Sequence, residues 1–221
     1  MTFSFNKFVE ISDFLAENKD LEKNNKNVSI IAITKNHSKD TILEAIKNGV
    51  KVFGENRVQE ALSKYLELKS KYHDLELHLV GPLQTNKVKK AIMLFDFFHT
   101  LDRESLAKEF VKQLGKSLNK KKFFIQINVG IENQKSGLKP KDADDFIRYC
   151  VDELKIKVLG LMCIPPIDLN PQPFFIELRD IAYRNNLKFL SMGMSSDYKI
   201  AVTCGATHIR IGSMLFGERD K

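Results

Sequence analysis

Ser29-Ile30-Ile31-Ala32-Ile33-Thr34-Lys35 is an apolar run rich in β-branched residues that ends in a single amine. Apolar residues fill both alternating positions, the pattern of a parallel strand covered on each face. Period two places Ile31, Ile33 and Lys35 on one face, so the amine points where the two isoleucines point. A lysine at the carboxyl end of such a strand is walled by hydrocarbon. Desolvation disfavours the ammonium and favours the neutral amine, the form that attacks an aldehyde. Lys35 is therefore a candidate nucleophile. The competing reading is a lysine that closes a strand and reaches out to solvent.

Outward from this run, short apolar strands alternate with amphipathic helices. Further strands are expected at 51–54, 75–80, 96–99, 122–129, 158–162, 188–191 and 206–211. Helices are expected near 39–47, 56–69, 86–94, 103–114, 141–153, 174–184 and 196–203. An earlier helix, at 5–16, carries Phe5, Phe8, Val9, Ser12 and Leu15 near one stripe. A polar stretch, Lys23 to Asn27, joins it to the first strand. Strands that alternate with helices pair in parallel through right-handed crossovers, and eight of them close into a barrel. An open doubly wound sheet is the alternative, but no GxGxxG follows a strand, so a dinucleotide site is not supported. The last helix is too short for a complete eighth unit, and the N-terminal helix is expected to cap the barrel bottom in compensation. The expected fold is α/β, a parallel (β/α)8 TIM barrel. It forms a single domain over residues 1–221, with an extra N-terminal helix and a short final helix.

Composition narrows the class. A chain of 221 residues is long enough for one large core, and 43% hydrophobic with 29% charged residues is ordinary for a soluble globular protein. Met1 to Asp20 lacks the apolar run of a secretory signal, and no later stretch is long enough to cross a bilayer. Cys150, Cys163 and Cys204 are odd in number and widely spaced, which fits a reducing cytoplasm better than a disulfide framework or a zinc site. The net charge of +7 attracts anions in general. Its lysines are scattered, apart from Lys120-Lys121-Lys122 and the group Lys87, Lys89 and Lys90. A solvated surface is expected rather than a nucleic-acid interface.

Barrel sites gather at the carboxyl ends of the strands, often with phosphate held by the loops after strands seven and eight. After the seventh strand comes Gly193-Met194-Ser195-Ser196-Asp197, and after the eighth Gly212-Ser213. Both offer glycine and hydroxyls where a helix opens, an anion-binding arrangement, although such turns also simply cap helices. Asp197 would compete with an anion unless it turns away as a cap. In Thr207-His208-Ile209-Arg210-Ile211, alternation puts His208 and Arg210 on one face. A core arginine needs partners, and an ion pair with a neighbouring carboxylate is the plainer reading. Gly54-Glu55-Asn56-Arg57 offers an amide and an ion pair at the same rim, and His78 could face the mouth or sit hydrogen-bonded in the core. The histidines show neither HxH nor HxxxH spacing, so no metal site is expected. No GxSxG or Cys/His signature is present.

Several of these stretches resemble one family. They are Gly54-Glu55-Asn56-Arg57-Val58-Gln59-Glu60, His78-Leu79-Val80-Gly81-Pro82-Leu83-Gln84-Thr85-Asn86-Lys87, Gly193-Met194-Ser195-Ser196-Asp197 and Arg210-Ile211-Gly212-Ser213-Met214-Leu215-Phe216-Gly217. All resemble the pyridoxal phosphate homeostasis proteins, single-barrel relatives of the N-terminal domain of alanine racemase. Lys135-Ser136-Gly137 and Gly160-Leu161-Met162 also fit that pattern, and the likeness runs from about Ile30 to Arg219. Two departures stand out. Ser213 occupies a position where the family often has threonine, and the loop Pro165 to Pro173 is unusually proline-rich, so the rim over strand six is expected to differ in shape.

The resemblance implies that Lys35 holds pyridoxal 5′-phosphate (PLP) as an internal aldimine. It further implies that Ser195, Gly212 and Ser213 hold the phosphate, that Arg210 faces the pyridine nitrogen, and that Asn56 lies near the cofactor. A guanidinium only donates, so a ring nitrogen facing Arg210 must accept and stay unprotonated. A neutral pyridine is a poorer electron sink. A racemase also needs acids or bases on both faces of the α-carbon. In alanine racemase a tyrosine from a C-terminal β-domain serves the second face, a domain this chain is expected to lack. The resemblance therefore implies a cytoplasmic PLP carrier with little or no turnover and no catalytic residues, whose recipients are apo PLP-dependent enzymes. The competing functions are a PLP-dependent amino-acid racemase or lyase, a Schiff-base aldolase using Lys35, and a basic nucleic-acid-binding module.

Overall fold

The computed structural model describes residues 2–18, 28–132 and 134–217; the expected polar link from Lys23 to Asn27 lies outside them. The strands are β1 (Ser29–Ile33), β2 (Val52–Glu55), β3 (Glu76–Leu79), β4 (Phe97–Leu101), β5 (Lys122–Ile127), β6 (Val158–Cys163), β7 (Phe189–Met194) and β8 (His208–Ile211). All run parallel and neighbour one another in sequence order, with β8 returning to pair with β1. The helices are α1 (Phe5–Glu17), α2 (Lys39–Lys47), α3 (Val58–Lys71), α4 (Val88–Leu94), α5 (Glu104–Leu114), α6 (Ala143–Arg148), α7 (Gln172–Arg184), α8 (Tyr198–Thr203) and α9 (Ser213–Phe216). The expected parallel (β/α)8 barrel is the observed one.

Three local departures have physical causes. The helix expected over 141–153 is composite: a 3-10 turn (Pro140–Asp142), α6, and a π-helical turn (Tyr149–Glu153). Proline at the entry removes a donor, which favours the tighter first turn. β7 runs on to Met194 because its ladder with β8 resumes after a register shift between Ser191 and Met194. The N-terminal helix does not cap the barrel bottom. The Phe3 ring lies 5.7 Å from Phe216, and Ser4 N donates to Leu215 O at 2.8 Å. Phe14 meets Tyr198 edge-on at 5.6 Å. Thus α1 lies in the outer helical layer against α8 and α9, where the four-residue α9 leaves room. Ile11 and Leu15, both buried, fill that room.

The main apolar core lies between the strands and the surrounding helices. Inside the barrel are two smaller clusters: Ile31, Ile33 and Val80 with Val52, and Phe97, Phe124 and Met162 with their neighbours. Imidazoles share this interior. His78 stacks on Phe97 at 4.2 Å and 5°, His99 on Phe124 at 4.4 Å and 16°, and His208 meets Phe124 edge-on at 5.1 Å.

These rings tie stability to acidity. Burial outweighs every partner and pulls His78, His99 and His208 below the usual histidine value, His208 to about 3. Unfolded histidines take up protons near pH ~6.5, and the folded ones do so only at lower pH. Their contribution is fully present above the unfolded value and is lost as pH falls towards the folded values. The buried carboxyl of Glu55, pushed up by burial, works in the opposite sense and offsets at most one proton. Urea unfolding between pH 6.5 and 5 is expected to show stability falling as pH falls, with about 1.4 kcal/mol per pH unit from His208 and further loss in the same sense from His78 and His99. A stability that stays flat over this window would show that the rings are not held neutral.

Candidate functional site

The six residues singled out as cofactor contacts, Lys35, Asn56, Ser195, Arg210, Gly212 and Ser213, line one cavity of about 290 Å³ at the carboxyl ends of the strands. Ile33, Val80, Ile164 and Met194 supply apolar wall, and His37, Ser196 and Gly217 complete the lining.

Lys35 is placed by its neighbours on the chain. Alternation turns Thr34 to the outside of the barrel, where its hydroxyl lies 2.7 Å from both Glu55 Oε1 and Tyr65 Oη. Lys64 Nζ donates to Thr34 O at 2.8 Å, to Glu55 Oε1 at 3.0 Å and to Glu60 Oε1 at 2.6 Å. Glu60 Oε1 in turn accepts from Asn36 N at 2.5 Å. The peptide before Lys35 and the peptide after it are therefore each held by one member of an i,i+4 ion pair on α3. Asn36 adopts a left-handed φ of 64°, which asparagine tolerates. The backbone turns sharply just beyond the amine.

The rim ion pair expected from Glu55 and Arg57 is not formed. Glu55 is fully buried among Thr34, Tyr65 and Lys64, on the helix-facing side with Phe53. Burial pushes its carboxyl up, against the pull of Lys64. Gly54 and Asn56, on the other face, point inward. His78 likewise belongs to the core rather than the mouth.

Among the described residues Arg210 takes a hydroxyl and a carbonyl, not a carboxylate, as its hydrogen-bond partners. It is 4% exposed. Its Nη1 donates to Ser191 Oγ at 2.8 Å and its Nη2 to Cys163 O at 2.9 Å. Among the described residues no salt bridge reaches it, so the structural ion pair is not what holds it. Burial works against the charge and lowers its pKa, yet a guanidinium remains a donor only.

The two loops meet across the cavity floor. Gly193 has a φ of 92°, and a Cβ there would lie 2.6 Å from Ala201 Cβ, so this position at the end of β7 demands glycine. Gly212 is neither left-handed nor crowded. Asp197 Oδ1 accepts from Met194 N at 2.5 Å, so the carboxylate caps its own turn. Met214 N reaches Ser195 Oγ at 3.4 Å, which ties the loop after β7 to the first turn of α9. An amine, three serine hydroxyls and a donor-only guanidinium thus share one small cavity, a set suited to an aldehyde that carries an anion and an acceptor nitrogen. Sequence reasoning missed the Lys64–Glu60 pair and the Ser191 and Cys163 O partners of Arg210. The Glu60-to-Lys64 spacing was a readable signal for the first; nothing local announces the others.

Residues 13–220 match the family model described as alanine racemase, N-terminal domain. A pyridoxal phosphate homeostasis protein of Aquifex aeolicus is 42% identical over 199 residues, 86% of each chain. The protein of the same name from Escherichia coli K12 is 32% identical over 206 residues, 87% of this chain and 86% of its own. Among solved structures, PipY of Synechococcus elongatus without PLP is 35% identical. It covers 96% of this chain and 99% of its own, with a TM-score of 0.85. The same protein with PLP bound is 36% identical and superposes at 0.77, covering 94% of this chain and 100% of its own. Alanine racemase of Corynebacterium glutamicum is 14% identical at a TM-score of 0.66, with 95% of this chain and 62% of the racemase covered, and shares the fold alone. The two curated relatives are named for homeostasis rather than for an enzymatic reaction. By the extent of these matches, the chain belongs to the pyridoxal phosphate homeostasis proteins, a family built on the alanine racemase N-terminal domain.

Proposed function

We propose that this chain holds PLP reversibly as a Schiff base on Lys35 and helps to set the free level of the cofactor, with little or no turnover. The observation that carries this reading is the convergence of Lys35, Ser195, Ser213 and Arg210 on one cavity. The Lys35 amine condenses with the aldehyde carbon and water leaves. Hydrolysis or exchange with an incoming amine reverses the bond. Ser195, Ser213 and the backbone at Gly212 hold the phosphate, and Asn56, which lines the same cavity, lies near the cofactor. Arg210 faces the ring nitrogen and can only donate to it, so the ring stays unprotonated and withdraws electrons poorly. That property supports storage over carbanion chemistry. The three cysteines are buried and form no disulfide among the described residues, which supports a reducing cytoplasm. The natural recipients are PLP-dependent apo-enzymes, whose own lysine amine completes the exchange.

Borohydride reduction of the protein loaded with PLP, followed by peptide mass mapping, is expected to place the reduced pyridoxyl group on Lys35, with none retained by Lys35→Ala. An adduct on another side chain, or none, would overturn the reading. Sustained loss of optical rotation from a single-enantiomer amino acid would instead establish a racemase. The α3 pair yields a second expectation. Lys64→Met removes the donor to Thr34 O and strands two carboxyls, so stability is expected to drop by about 3 kcal/mol. PLP affinity is expected to fall about tenfold, equivalent to ~1.4 kcal/mol. Glu60→Gln keeps an acceptor for Asn36 N and is expected to bind PLP nearly as the parent does. A folded Lys64→Met protein with undiminished affinity would show that the pair does not position Lys35.

A further inference from the structure

A single file of hydrogen bonds crosses the barrel interior from the amino end of β3 to Arg210. Glu76 Oε1 lies 2.9 Å from His78 Nε2, His78 Nδ1 2.8 Å from His99 Nε2, and His99 Nδ1 2.9 Å from Ser191 Oγ. Arg210 Nη1 completes the file at 2.8 Å from the same Ser191 oxygen. His78, His99 and Ser191 are fully buried, whereas the Glu76 side chain is 34% exposed at the barrel bottom.

The two ends settle the direction of every link. Arg210 only donates and an ionised Glu76 only accepts. Both imidazoles are kept neutral by burial, so each carries one proton. His78 must keep its proton on Nε2, towards the carboxylate, and accept at Nδ1. His99 must then carry its proton on Nε2, towards His78, and accept at Nδ1. Ser191 donates its hydroxyl proton to His99 and accepts from Arg210. The reverse order needs a protonated Glu76. Water at its exposed side and Lys122, 3.9 Å from Glu76 Oε2, both oppose that.

The other groups facing the file leave this order intact; Asp197, whose carboxylate also acts on Arg210, stands outside the file and is engaged by Met194 N. The His208 ring lies 6.1 Å from that of His78 and 6.3 Å from that of His99, and its Nδ1 is engaged by Thr207 Oγ1 at 2.9 Å. Asp96 acts on His78 in the same sense as Glu76, and Lys122 also sits 4.3 Å over the Phe97 ring. Aligned links in a low-dielectric interior polarise one another, so each hydrogen-bond dipole turns its negative end towards Arg210.

We propose that Glu76 is a remote counter-charge of Arg210, additional to the nearer carboxylate of Asp197, and a positioning residue for the cofactor cavity, acting through His78, His99 and Ser191 held in one fixed proton arrangement. The proposal rests on the reading of Arg210 as the partner of the PLP ring nitrogen. Its proton arrangement belongs to the protein alone.

The test uses the full chain and Glu76→Gln, which keeps the shape and an acceptor for His78 but removes the charge. Long-range ¹H–¹⁵N correlation spectra of the unliganded protein are expected to show His78 and His99 as neutral Nε2–H tautomers, unchanged from pH 6 to 8. A protonated ring, or an Nδ1–H tautomer at His99, would overturn the proposal. With PLP added, Glu76→Gln is expected to weaken retention by about two- to tenfold and to shift the absorption maximum of the bound cofactor. Ser191→Ala, which cuts the file, is expected to do the same, and the double variant to lose no more than Ser191→Ala alone. Glu104→Gln, a charge removed on the exposed face of α5, is expected to change neither. If the parent binds no PLP, the functional reading fails while the tautomers remain decisive for the file. If it binds PLP and Glu76→Gln binds it identically, the remote counter-charge is refuted by itself.

Discussion

Closure of the barrel between β1 and β8 is the constraint on which the rest depends. It sets Ile31 opposite Arg210 and Ala32 opposite Ile211, joining segments 179 residues apart in the chain. Parallel pairing in this register turns Ile31, Ile33 and Lys35 inward beside His208, Arg210 and Gly212. A slip of one residue would send each of these side chains to the opposite face. The amine, the guanidinium and the loop after β8 are neighbours only because the sheet closes.

Once closure has placed the strands, two polar systems fix the site from opposite sides of the barrel wall. On the helix-facing side, Lys64 and Glu60 grip the peptides that flank Lys35, with Glu55, Thr34 and Tyr65 packed around them. On the inward side, Ser191 and Cys163 O hold Arg210. Neither system is a surface ion pair of the kind that contributes little. Lys64, Glu55 and Arg210 are buried and hydrogen-bonded, and Glu60 is half-buried, the setting in which losing one partner leaves another polar group stranded. The cavity between them is small, and its apolar wall of Ile33, Val80, Ile164 and Met194 leaves the polar groups to orient whatever enters.

Much of this was readable along the chain. The alternation of β-branched strands with amphipathic helices reports the barrel, because each strand must be covered on both faces. The inward direction of Lys35 follows from period two alone. The glycine and hydroxyl pattern after β7 and β8 marked both loops that line the cavity. What misled was the use of a residue's type without its facing. Glu55 and Arg57 look like a rim pair, yet Glu55 turns to the buried, helix-facing side, where Lys64 takes its carboxyl. Arg210 in a core strand suggested a carboxylate partner, but hydroxyl and carbonyl acceptors from β7 and β6 took that place.

By itself, then, the order of residues determined the elements, the faces their side chains occupy and the turn chemistry at the two anion-suited loops, because these obey periods and dihedral preferences that span a few residues. Only the tertiary structure decided where α1 packs, which groups meet Arg210, and that Glu76 stands at the far end of its hydrogen-bonded file. Those contacts join strands whose separation in sequence is large. Their geometry is set by strand register and barrel closure, and no local pattern encodes it.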